Sequence, residues 1–157
     1  MNYPIAVISD EHPRPYWLRP APGAEVMTSA DFFAGPHSAV AVHVTPSDIQ
    51  GAISYILGLR ENDVPVLSLI ELRTSKKSWK EDCSQYSEAI NLLRKANIPV
   101  LAVATGFKLR RKGRRTWPTR ELLEGVDEIV WEMAVGHENF FLHLADVMQD
   151  VVNRYPA

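Results

Sequence analysis

A single cysteine, Cys83, stands among 157 residues, so the chain has no internal disulfide framework and no multi-cysteine zinc site. No apolar run approaches membrane-spanning length. The opening residues, MNYPIAVISDEH, lack the basic flank and longer apolar core of a secretory leader. The formal net charge of −2 gives no general attraction to nucleic acid or membrane. Glycine-rich phosphate loops are missing too. Neither G-x-G-x-x-G nor a Walker sequence occurs, and prolines follow the first apolar run where a nucleotide fold places glycines. A G-x-S-x-G elbow is also absent, which sets aside α/β-hydrolase chemistry of that kind. The expectation is one cytoplasmic domain, long enough to bury a real core, with no membrane partner.

The most informative block runs from His37 to Glu71, HSAVAVHVTPSDIQGAISYILGLRENDVPVLSLIE. Its two Val/Ile-rich runs do not alternate with polar residues, as expected of strands covered on both faces, and a helical crossover between them makes them parallel. Strands are expected at Pro4–Ser9, Ala24–Ser29, Ser38–Val44, Val64–Leu69, Ile98–Ala104 and Glu128–Trp131. Between the first two, Pro13, Pro15, Pro20 and Pro22 make a regular helix unfavourable. Thr45-Pro46-Ser47 supplies cap chemistry for a helix over Asp48–Arg60, with Ile49, Ile53, Ile56 and Leu57 on one face. A helix over Lys80–Ala96 groups Tyr86, Ile90, Leu92 and Leu93, and Asn97 ends it. A short helix is expected near Thr119–Leu123, and a last one from His137 to about Asn153. The fold class is α/β: a single open, mainly parallel sheet with helices on both faces, flavodoxin-like or Rossmann-like. In such sheets, ligands gather at the carboxyl ends of the strands.

Several residues at those ends could carry chemistry. Asp10 and Glu11 close the first strand, and adjacent carboxylates there could hold Mg²⁺, which takes oxygen ligands. The plainer reading is a solvated acidic turn, paired with Arg14. His43, near the end of the third strand, could be a general base or a ligand. A histidine among valines is more often a hydrogen-bonded core residue, and no second histidine stands at ligand spacing. His12 and His37 fall near loops, while His137 and His143 lie six apart and do not share a helix face. Cys83 follows Glu81 and Asp82, whose charges oppose a reactive thiolate.

The local anomaly is KLRRKGRRTWPTR, where Lys108, Arg110, Arg111, Lys112, Arg114, Arg115 and Arg120 occur without an acid. Arginines there could take phosphate bidentately, and Trp117 could stack on a base. A solvated loop, or one paired with the acidic stretch Glu121–Glu132, is the alternative.

Three segments carry a resemblance to the receiver domain of bacterial response regulators: VISDEH, HSAVAVHVTPSDIQG and VPVLSLIE, with VDEIVWEMAVGHENFFLHLADVMQ similar to the closing strand and helix. The resemblance implies a flavodoxin-like fold, signal transduction, a protein partner, and Asp10 and Glu11 as the Mg²⁺ pair. The departures fall on the reactive positions. His43 stands where the family's phosphorylated Asp would fall, Ile70 where its hydroxyl would, and Glu132 where its Lys would, although Lys108 follows the preceding strand. The segment SAVAVHV followed by ISYILGLRENDVPVL also resembles nucleoside deoxyribosyltransferase-like folds, but the nucleophile's place falls near Ala52.

Three functions compete. The first is a non-enzymatic regulatory or protein-interaction domain, a receiver without its acceptor. The second is a small enzyme or sensor that binds a phosphorylated metabolite or nucleotide through Lys108, Arg110, Arg111, Arg114 and Arg115. The third is a nucleic-acid-associated protein that uses the same segment.

Overall fold

The computed structural model describes residues 4–32, 37, 39–72, 79–104, 124–131 and 139–154. The expectations for the basic segment 108–120, the short helix near 119–123 and His137 lie outside the described residues, as does that for the Cys83 side chain.

Among the described residues, six strands form one sheet: β1 Ile5–Ile8, β2 Ala24–Met27, β3 Ala39–Val44, β4 Val66–Leu72, β5 Val100–Ala104 and β6 Glu128–Trp131. Their order is β2-β1-β3-β4-β5-β6, and every neighbouring pair is parallel. The expected open parallel α/β sheet is thus the fold. Strands β3, β4 and β5 are buried along their whole length, as their largely apolar runs require. The two edge strands are less covered. β2 and β6 expose Glu25 and Glu128, and charge on an edge strand opposes further strand addition.

Helices α1 (Ile49–Glu61) and α2 (Trp79–Lys95) pack on one face, and α3 (Phe140–Arg154) packs on the other. Strand alternation sorts the core between them. Ala6, Ile8, Val42 and Ile70 meet Ile53 and Ile56 of α1 and Tyr86, Ile90 and Leu93 of α2. Ile5, Val7, Ala41, Leu69 and Val103 meet Phe140, Phe141, Leu144 and Met148 of α3. Leu92 departs from its expected place, because its step around the helix from Leu93 carries it into solvent, where it is 51% exposed. Helix α1 starts at a 3₁₀ turn over Pro46–Asp48, and the Asp48 carboxylate accepts from the Gly51 N–H at 3.2 Å. Asp63 and Asn97, with φ of 59° and 58°, follow α1 and α2 in the left-handed conformation that such short polar side chains tolerate.

Two features position the site. The chain passes from β1 to β2 on one side and then crosses to β3 on the other, which makes the β1/β3 boundary a topological switch point. No helix fills the β1–β2 connection. Its proline-rich course instead buries Trp17 and Leu18 against the α3 face of the sheet. Among the described residues, no helix is long and apolar enough to cross a membrane.

Candidate functional site

Strand parity builds the site. Ser9 continues the series Ile5, Val7, and the register Ile8↔Val42 brings it beside His43. His43 continues Ala41, and Glu71 continues Leu67 and Leu69 on the same face. Strand β4 runs on to Leu72 rather than stopping at Leu69, so Glu71 is a strand residue and not the polar end of one. His43 is paired with Leu69, so Glu71 lies two residues further along β4 and reaches the imidazole diagonally. Three neighbouring strands thereby deliver a hydroxyl, an imidazole and a carboxylate to one row at the carboxyl edge.

The row is fully connected. The Ser9 hydroxyl lies 2.8 Å from His43 Nδ1, and His43 Nε2 lies 2.7 Å from Glu71 Oε1. A carboxylate only accepts, so Nε2 carries the proton and donates to Glu71. With the ring neutral, Nδ1 is then the acceptor for the Ser9 hydroxyl. Ser9, His43 and Glu71 are 6%, 6% and 3% exposed. Trp17 packs edge-on against the imidazole at 5.3 Å and against Phe140, the first residue of α3, at 5.7 Å. From the other face, the Tyr86 hydroxyl donates to the Glu71 backbone carbonyl at 2.7 Å and pins the end of β4.

Asp10 and Glu11 turn to different tasks. Both Asp10 oxygens are engaged by Ser29, one accepting its N–H at 2.8 Å and the other its hydroxyl at 2.6 Å. Asp10 therefore ties the chain after β2 to the end of β1. Glu11 approaches the relay instead, with Oε2 4.0 Å from His43 Nδ1. Donor atoms of Glu11, His43 and Glu71 all lie within 4.8 Å of one another and could hold a metal ion.

A cleft of about 500 Å³ opens at this edge, lined among others by Asp10, Glu11, His12, His43, Asp48 and Tyr55. Ser9 lines it as well, while Glu71 stands behind His43. Among the described residues its charged lining is Asp10, Glu11 and Asp48, with no lysine or arginine. Burial, and then the Asp10 charge, push the Tyr55 hydroxyl above its usual value of 10.0, so it remains a proton donor at neutral pH.

The structure thus brings together Glu11 and His43 of the residues singled out from sequence, with Asp10 on the rim. His12 lines the same cleft. His37 lies elsewhere, with Nε2 3.0 Å from Glu25 beside β2. Lys108, Arg110, Arg111, Arg114 and Arg115 lie outside the described residues. Ser9, Glu71, Trp17 and Tyr55 are functional candidates that sequence reading missed. The one available signal was parity, since residues 9, 43 and 71 each continue the inward series of an apolar strand, but using it required the register. Comparisons with protein-family models, curated proteins and solved structures give no match to this chain.

Proposed function

We propose that the domain is a small-molecule hydrolase or group-transfer enzyme whose active site is the cleft at the β1/β3 switch point. Ser9 is the nucleophile, His43 its general base, and Glu71 the group that orients the imidazole and stabilises the imidazolium. The observation that carries this reading is the continuous Ser9–His43–Glu71 chain of 2.8 and 2.7 Å contacts. A nucleophile within reach of a base that a third group orients is the arrangement that covalent catalysis needs.

The chemistry follows from the proton positions. His43 Nδ1 takes the Ser9 proton as Oγ attacks an electrophilic carbon, and Glu71 balances the charge that forms on the ring. The imidazolium then gives that proton to the leaving group. Water attacks the Ser9 ester with its proton passing to Nδ1, and Ser9 Oγ recovers it as the ester bond breaks. The carboxylate-lined cleft suits a neutral or cationic substrate of small size. Burial supports a working role: a buried ionic group costs several kcal/mol of desolvation, and apolar replacements of the same shape are often no less stable.

The test is labelling with a fluorophosphonate, a reagent that phosphonylates activated serines. One adduct on Ser9 is expected, absent in Ser9→Ala and strongly slowed in His43→Gln and Glu71→Gln variants that remain folded by circular dichroism. Folded parent protein without an adduct on Ser9 would overturn the reading.

A second reading has its own support. The order β2-β1-β3-β4-β5 and the Asp10-Glu11 pair after β1 favour a regulatory, receiver-like module that binds a protein partner. In that reading the relay is only a brace, and Ser9 stays unlabelled.

A further inference from the structure

We propose that the cleft edge of the relay is also a divalent transition-metal site, with His43 Nδ1 and the Glu11 carboxylate as ligands and Ser9 Oγ as a third, neutral donor. Glu71 stays outside the coordination sphere and holds the ring through Nε2–H. Three observations converge on it.

The first is spacing. A metal such as Zn²⁺ sits about 2.0–2.1 Å from a histidine nitrogen and about 2.0–2.2 Å from a carboxylate oxygen, so two ligands of a tetrahedral ion stand roughly 3.3–3.5 Å apart. Nδ1 is 4.0 Å from Glu11 Oε2 and 2.8 Å from Ser9 Oγ. A shift of roughly half an ångström in each, closing the Glu11 pair and opening the Ser9 pair, brings both to tetrahedral spacing. The Glu11 side chain is 22% exposed and lines the cleft.

The second is the outer partner. Metal-bound histidines usually donate the other ring N–H to a carboxylate or carbonyl, which fixes the tautomer and raises the basicity of the ligating nitrogen. Glu71 stands in that place for His43, 2.7 Å from Nε2, and leaves Nδ1 as the ligating nitrogen, 2.8 Å from Ser9 Oγ and 4.0 Å from Glu11 Oε2. The third is access, because Ser9, Glu11 and His43 all line the cleft and water or substrate can complete the coordination.

The ligand set also selects the ion. An imidazole suits Zn²⁺, Ni²⁺ or Cu²⁺ better than Mg²⁺, which takes oxygen donors. The site therefore differs from the Asp10-Glu11 magnesium pair expected from sequence, since Asp10 spends both oxygens on Ser29. An ion on Nδ1 uses the lone pair that would take the Ser9 proton, so metal-bound and proton-relay states exclude each other. Metal binding here needs no enzymatic activity and does not depend on whether Ser9 is labelled.

Titration calorimetry with ZnCl₂ on the chelator-treated full chain, together with the visible absorption of the Co²⁺ form, tests it. One equivalent is expected to bind, with Co²⁺ bands of tetrahedral intensity. Glu11→Gln should weaken binding at least tenfold, and His43→Gln should abolish the bands. Glu71→Gln, which alters only the outer partner, should weaken binding roughly 10–100-fold. Should His43→Gln not fold, Glu11→Gln decides, because its partly exposed side chain is not part of the core. Zn²⁺ affinity and Co²⁺ spectrum unchanged in Glu11→Gln would place the ion elsewhere and overturn the proposal. Failure of the folded parent to bind one equivalent would do the same.

Discussion

His43 Nε2 meets Glu71 Oε1 at 2.7 Å, and the two side chains retain 1% and 4% of their exposure. This contact joins two strands through side chains rather than backbone, inside a sheet whose remaining core contacts are mostly apolar. Its contribution is measurable because either partner, left alone, is a buried polar group without its main contact. Glu71→Leu should destabilise the protein by about 1–3 kcal/mol, the cost of stranding a buried donor. His43→Leu with Glu71→Leu should cost less than the sum of the two single changes, because no stranded partner remains at this contact. Urea denaturation of the four proteins measures the coupling, and strict additivity would show that the contact contributes nothing.

Trp17 packs edge-on against the His43 ring on the α3 side. It is 3% exposed, and its indole N–H has no hydrogen-bond partner among the described residues. Trp17→Phe keeps an aromatic edge toward His43 and removes the stranded donor, so its stability should stay within about 1.5 kcal/mol of the parent. Trp17→Ala empties the space between His43 and Phe140 and should cost about 3–5 kcal/mol. Thermal melts of the two variants give the comparison, and equal losses would contradict the packing role.

Tyr55 gives a pH dependence with a definite sign. Its hydroxyl titrates above 10.0 in the folded protein because burial and the Asp10 charge disfavour the phenolate. As pH rises past the unfolded value, the unfolded chain loses this proton before the folded one. The folded state then binds more protons, so stability falls with rising pH through that window. Tyr55→Phe should flatten that decline between about pH 9 and pH 11 relative to the parent and leave neutral stability nearly unchanged. Identical alkaline slopes in urea melts would count against it.

The basic segment supplies a prediction from composition alone. Replacing Arg110, Arg111, Arg114 and Arg115 with Ala should leave the circular dichroism spectrum intact. It should weaken binding of ATP, single-stranded DNA, or both, because each charge-assisted hydrogen bond to phosphate contributes about 1.5–3 kcal/mol. Steep salt dependence with DNA and little with ATP would mark nucleic acid as the ligand, and the reverse a nucleotide. If the parent binds both probes no better than the quadruple variant, the segment is a solvated surface.

The local sequence determined the architecture. The largely apolar runs of β3 (Ala39–Val44), β4 (Val66–Leu72) and β5 (Val100–Ala104) can be satisfied only by burial on both faces. The helical spacing of Ile49, Ile53 and Ile56 supplies the crossover that makes neighbours parallel. The chain also flagged Asp10, Glu11 and His43, since polar residues at strand ends stand out against apolar runs. What it could not supply was their partners. Ser9, His43 and Glu71 are separated by 34 and 28 residues, and register alone decides that they meet. Glu71 was hidden further because an acid after an apolar run reads as the end of a strand, whereas here a histidine on the neighbouring strand donates to its carboxylate and lets β4 continue. Only the tertiary structure could assign Asp10 to Ser29 and Glu11 to His43. Adjacent residues in an extended chain point opposite ways, and which way finds a partner depends on what the fold has placed there.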